Sequence, residues 1–272
     1  MKPLSVAEME TIAKRVRRHI ISMTGRAKSG HPGGSLSAVE IVTTLYFRVL
    51  NHNPEKPDWP DRDRFVLSKG HTAPMLYAIL AECGYFPIDE LATLRQINSR
   101  LQGHADRTCT AGVEMSSGSL GQGLSFSIGI ALAGRLDAKS YRVYTLLGDG
   151  ECDEGQIWEA AMASAHFKLD NLVAIVDRND MQIGGWTRDI MELEPFNSKW
   201  QAFGWHTIEV DGHDFSQLTD AYEKAKQIRG QPTVIIAHTV KGKGVSFMEN
   251  NPHFHGIAPT AEEMELALKE LA

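Results

Sequence analysis

Apolar positions along the chain follow two rhythms. Dense, β-branched runs at residues 64–68, 141–147, 171–176, 205–211 and 232–240 are the pattern of strands buried on both faces. Between them, helical spacing covers residues 4–28, 35–50, 71–83, 156–167, 215–229 and 262–271, with Ser35 placed to cap the second helix. Strands alternating with helices predict an α/β fold, a doubly wound, mostly parallel sheet with helices on both faces. Ligands of such sheets collect at the carboxyl ends of the strands. No internal repeat or long Pro/Gly/Ser linker divides the chain, so residues 1–272 are expected to form a single domain.

Composition narrows the class of protein without naming a chemistry. A chain of 272 residues with 42% hydrophobic content can bury a full core without disulfides or structural metals. A net charge of −6 argues against a general nucleic-acid surface. Cys83, Cys109 and Cys152 are odd in number and lack a Cys-x-x-Cys spacing, as expected in a reducing cytoplasm. The first twenty-two residues are charged and helix-periodic rather than a signal sequence, and no apolar run approaches the ~18 residues of a membrane span. A cytoplasmic protein that uses no membrane is the expectation.

Candidate chemistry begins where two of these strands end. The run 141–147 delivers Gly148-Asp149-Gly150-Glu151, and the run 171–176 delivers Asp177-Arg178-Asn179-Asp180. With a crossover helix between them, both ends open on one crevice. Mg²⁺ takes oxygen ligands in near-octahedral geometry, usually a few from protein and the rest from phosphate and water. Asp149, Asn179 and the carbonyl of Met181 suit that role. Gly-Asp-Gly alone is more often an ordinary turn, and it is the paired second half that favours a metal–diphosphate site. Four histidines, His31, His71, His104 and His255, each lie beside glycine or in a Gly-rich turn, where the backbone can bring an imidazole close to a ligand. The remaining histidines are expected to be structural or superficial.

Six blocks together resemble the transketolase family. They are Ser29-Gly30-His31-Pro32-Gly33-Gly34, Ser68-Lys69-Gly70-His71, Leu101-Gln102-Gly103-His104, Ser117 to Gly123, Gly148-Asp149-Gly150 and Phe254-His255-Gly256, in family order over nearly the whole chain. The resemblance implies the diphosphate-binding half of a thiamine diphosphate-binding fold, with thiamine diphosphate and Mg²⁺ (or Ca²⁺ or Mn²⁺ as substitutes) as cofactors. It implies that His71, Gly118, Leu120, Asp149, Gly150, Asn179, Met181, Ile183, Lys241 and His255 contact the cofactor or its metal, and that His31, His104 and His255 face the sugar. Ile183 would press on the thiazolium ring, although a core position is its more ordinary role. Glu154 is grouped with the cofactor residues, and it and Glu159 are expected to face the second protein chain of the assembly. The macrodipole, which favours an acid at a helix start, accounts for Glu154 equally well.

The family comparison also implies what these residues lack. The glutamate that activates the aminopyrimidine and the aromatics that stack on it have no counterpart here. The expected protein is therefore the N-terminal subunit of a split transketolase, working with a separate C-terminal subunit in a two-plus-two heterotetramer. An initiating Met1 and a closing helix favour a natural subunit over a cut fragment. Ketol transfer between a ketose phosphate and an aldose phosphate is the expected reaction, with pentose-phosphate metabolism as default and a sulfonated or branched ketose as runner-up. A 2-oxoacid dehydrogenase α-type subunit would need no four-histidine sugar site, and a non-catalytic scaffold would be expected to carry damaged histidines or a damaged metal triad.

Overall fold

The computed structural model describes residues 3–272. Helix α1 (Val6–Ala27) opens the chain, with Ser5 and Glu8 forming a reciprocal capping box. The short helices α2 (Pro32–Ser37) and α3 (Val39–Thr44) lead through a π-helical turn at Leu45–Val49 to strand β1 (Arg64–Leu67). Helices α4 (Ala73–Cys83) and α5 (Gln122–Leu136) precede β2 (Val143–Gly148), and α6 (Gly155–His166) crosses to β3 (Leu172–Arg178). A small hairpin of β4 (Met181–Gln182) and β5 (Gly185–Trp186) follows, then α7 (Thr187–Ile190) and α8 (Phe196–Ala202). Strand β6 (His206–Asp211), α9 (Phe215–Gln227), β7 (Thr233–His238) and α10 (Ala261–Glu270) complete it.

Five strands form one all-parallel sheet in the order β1-β2-β3-β7-β6. Side chains alternate across it, as strand geometry requires. Tyr144, Leu146, Val173, Ile175, Ile235 and Ala237 join the core beneath α1, α3, α4 and α9. Val143, Leu147, Leu172, Ala174, Val176, Val234 and Ile236 join the opposite core beneath α5, α6 and α8. The doubly wound expectation holds. Its register pairs Gly148 with Asp177 and Asp177 with Ala237, so the segments leaving β2, β3 and β7 emerge side by side on one edge. Among the described residues no helix is long and apolar enough to cross a membrane.

Two expectations need correction. The single helix over 35–50 is three pieces, because Pro32 starts the first turn earlier and Ala38 leaves helical geometry at φ −93°, ψ 7°. Ser35 is therefore no cap, and its hydroxyl donates back to the His31 carbonyl at 2.7 Å. Residues 122–136, which apolar spacing does not mark as helical, form the helix α5. Its Gly- and Ser-rich sequence has weak intrinsic propensity, and packing against α6 and β2 holds it.

Candidate active site

At the carboxyl ends of β1, β2, β3 and β7 lies a cavity of about 240 Å³ lined by His31, Lys69, His71, His104, Gly118, Leu120, Asp149, Gly150, Asn179, Met181, Ile183, Lys241 and His255, among others. Every expected site residue except Glu154 is in that wall. Glu154 lies outside that wall, exposed at the start of α6 with its Cβ near Gly121. Ile183 is 74% exposed, so its role as a core residue is overturned, and it stands at the rim of the cavity.

Asp149 is buried at the turn after β2. Its Oδ1 accepts from the Gly150 amide at 2.8 Å and its Oδ2 from the Asp180 amide at 2.5 Å, which joins the ends of β2 and β3. Gly150 must lack a side chain, because a Cβ there would lie 2.7 Å from Cβ of Gln182. The Asn179 amide oxygen accepts from the Met181 amide at 3.2 Å. Burial, reinforced by the charge of Asp177, pushes the Asp149 carboxyl up to about 7. Burial beside Lys69 lowers Lys241 to about 8. The Lys241 ammonium donates to the Met181 carbonyl at 3.0 Å and to Nδ1 of His255 at 2.9 Å.

These contacts set the protonation of the histidine cluster. His31 lies with ring centroids 5.2 Å from His71, 5.8 Å from His104 and 5.8 Å from His255, and His71 and His255 stack at 5.2 Å. Burial, then neighbouring positive charge, lowers His31 to about 4 and His255 to about 3. His71 and His104 are lowered for the same reasons, burial first. All four rings are neutral near pH 7. Because Nδ1 of His255 accepts from Lys241, its Nε2 carries the proton and can donate into the cavity. Nδ1 of His31 is buried without a protein partner.

Two residues that hold this geometry escape a reading of the sequence. Lys69, inside the Ser68-Lys69-Gly70-His71 block, is buried and paired with the fully buried Asp177, which also accepts from Ser37 at 2.6 Å and from Thr239. Glu151 accepts from Ser68, from the Gly121 amide at 2.9 Å and from the Gly148 amide at 3.0 Å, tying three motif blocks together. Each is a charged residue immediately beside a motif glycine, which is the signal that could have exposed it.

The donor set fits a cation that shares its shell with a diphosphate. Among the described residues no group of three His, Cys, Asp or Glu side chains could hold a metal unaided. One buried carboxylate, one amide oxygen and one carbonyl leave positions for phosphate and water, the habit of Mg²⁺. The buried ammonium of Lys241 beside them suits an anion.

Residues 9–272 match the family described as the transketolase, thiamine diphosphate binding domain. The chain belongs to the transketolase family. It is 46% identical over 264 residues to the 6-deoxy-6-sulfo-D-fructose transketolase subunit SqwG of Clostridium sp. (strain MSTE9), covering 97% of this chain and 96% of that protein. Identity is 45% over 269 residues to an apulose-4-phosphate transketolase subunit of Actinobacillus succinogenes, covering 98% and 97%. Human transketolase is 44% identical over 249 residues, covering 91% of this chain but 39% of the human protein. The solved transketolase of Leishmania mexicana superposes with a TM-score of 0.93 at 33% identity, covering 99% of this chain and 41% of that one. The chain thus spans about two-fifths of the full-length transketolases it matches and nearly all of the relatives named as subunits.

Proposed function

We propose that this chain is the N-terminal, diphosphate-binding subunit of a two-subunit transketolase, a transferase of two-carbon ketol units that requires a separate C-terminal subunit. The observation that carries the reading is the cavity joining Asp149, Asn179, Lys241 and four histidines at the sheet's carboxyl edge. Near-complete alignment with relatives named as transketolase subunits supports the division into two chains. Residues 1–272 then act as one diphosphate-binding domain, in the cytoplasm.

When bound, thiamine diphosphate supplies a nucleophilic carbon and an electron sink. Asp149, Asn179 and the Met181 carbonyl would hold Mg²⁺. Lys241, His71 and His255 would hold the diphosphate, and the Gly118, Leu120 and Gly150 backbone would line its path. Ile183 at the rim would press on the ring. His255 donates from Nε2 toward a ketose oxygen. His31, in the cavity wall, would face a sugar hydroxyl. His104, exposed at the mouth, carries protons to and from the acceptor. Neutral imidazoles can both accept and donate, as a reversible transfer requires.

The partner surface follows from α5 and α6, which pack together and leave Phe126, Leu136 and Met162 exposed, with Glu154 and Glu159 on the exposed side of α6. Exposed apolar side chains of this size on adjoining helices suit a protein interface. A two-plus-two heterotetramer is the assembly proposed. The substrates proposed are ketoses with an anionic end, because relatives are named for a sulfonated sugar and for apulose 4-phosphate. The test is product analysis of the assembled pair with xylulose 5-phosphate, fructose 6-phosphate, 6-deoxy-6-sulfofructose and apulose 4-phosphate. With an aldose phosphate supplied as acceptor, a donor remnant two carbons shorter and an acceptor two carbons longer are expected, and acyl-lipoyl formation, acetyl phosphate or no product would defeat the reading.

A further inference from the structure

A second charged network lies outside the cavity, in a surface cleft lined by Arg17, Glu40, His213, Lys243 and Gly244. Arg17 and Glu40 are both buried and form a two-pronged ion pair, with nitrogen–oxygen distances of 2.6 and 2.8 Å. Glu40 also bonds Nδ1 of His213 at 3.0 Å. Burial alone would raise the Glu40 carboxyl, but the Arg17 charge and the His213 hydrogen bond hold it at about 2. None of the three residues lines the active-site cavity.

Their remaining contacts converge on one turn. The Val240 amide donates to Nε2 of His213 at 2.8 Å. Arg17 Nε donates to the Lys243 carbonyl at 2.9 Å. Between these anchors sit Lys241, whose ammonium reaches into the cavity, and Gly242, whose amide donates to the Gly33 carbonyl at 3.0 Å. A backbone amide can only donate, so Nε2 of His213 must be the accepting nitrogen and Nδ1–H must face Glu40. The carboxylate thereby fixes the tautomer, in the way a carboxylate orients a metal-bound imidazole elsewhere.

We infer that His213, oriented by Glu40 and Arg17, is a positioning residue that holds the 240–243 turn so that the Lys241 ammonium is aimed at the diphosphate site. The inference rests on the proposed function for the identity of the anion. A lysine side chain is a flexible point charge, and its usefulness depends on how firmly its backbone is fixed. His213 supplies that fixation from the side of the turn that meets no ligand.

The pair His213→Asn and His213→Gln separates the two bonds. Asparagine places an amide N–H near the Nδ1 position and can still donate to Glu40 but is too short to accept from Val240, whereas the glutamine amide oxygen reaches the Nε2 position and can accept from Val240. In the full chain assembled with its complementary subunit, His213→Asn should weaken calorimetric binding of Mg²⁺–thiamine diphosphate roughly fivefold, within the range of measured couplings between contacting residues. Glutamine should restore it, and His213→Asn should add nothing in a Lys241→Gln background. Hydrogen exchange of residues 239–244 should speed up in the asparagine variant and return to the wild-type rate in the glutamine variant. Wild-type affinity in His213→Asn, or an equal loss in the Lys241→Gln background, overturns the inference. Failure of the wild-type pair to bind the cofactor would instead defeat the proposed function, while the exchange comparison would still decide whether His213 holds the turn.

Discussion

Replacing Lys69 with methionine removes the cation paired with Asp177 and leaves a carboxylate buried beneath the active site. The side chains of Lys69 and Asp177 are 3% and 0% exposed, so the carboxylate left behind is poorly solvated. Burial would raise the Asp177 carboxyl, yet Lys69, with the hydrogen bonds from Ser37 and Thr239, outweighs it and holds the group below the usual carboxylate range. Ser37 and Thr239 remain as hydroxyl donors, but neither carries charge. Breaking a buried pair from one side costs about 3–5 kcal/mol. For a chain of this size that is a fall of about 6–20 °C in Tm, at ~2–4 °C per kcal/mol. The double variant Lys69→Met/Asp177→Asn, which removes both charges, should recover most of the loss. Thermal and urea unfolding of the single and double variants measure this directly. A Lys69→Met chain within ~1 kcal/mol of wild type, below the cost expected for an orphaned buried charge, would refute the argument.

Further outcomes follow from the same geometry. Asp149→Ala should abolish Mg²⁺-dependent cofactor retention, measured by calorimetry on the assembled enzyme, because it also orphans the Gly150 and Asp180 amides. His104→Ala should leave cofactor binding intact and lower turnover about 10²–10⁴-fold, the usual loss of acid–base help, as read from the split between kcat and cofactor Kd. Glu40 is an acid with a depressed pKa, so its stabilisation is present above the ordinary value of 4.5 and is lost as pH falls through about 2. Acid unfolding of the wild type should therefore be steeper over that window than that of Glu40→Gln. Gly242→Ala would bring a Cβ to 2.2 Å from the Met248 carbonyl oxygen at a φ of 82°, and should destabilise the chain by more than ~1 kcal/mol in urea.

The strands and most helices are legible in the sequence because apolar periodicity reports burial, and this sheet is buried on both faces. Helix α1 lies within two residues of its expected bounds, since apolar spacing runs nearly its full length. Helix α5 is not legible, because Gly123, Gly129 and Gly134 mimic a loop when their packing partners are unseen. At the site, motif glycines and histidines stand out as rare residues in marked settings. Lys69, Glu151 and His213 do not, because their roles are made by contacts 83 to 173 residues apart in the chain, or by a charge buried only after folding.

The most direct test is a ketol-transfer assay with thiamine diphosphate and Mg²⁺, comparing this chain alone with this chain plus its complementary subunit. Turnover only in the mixture is the predicted result. Robust turnover by the chain alone, or a mixture that binds cofactor but transfers no two-carbon unit from any anionic ketose, would contradict the account.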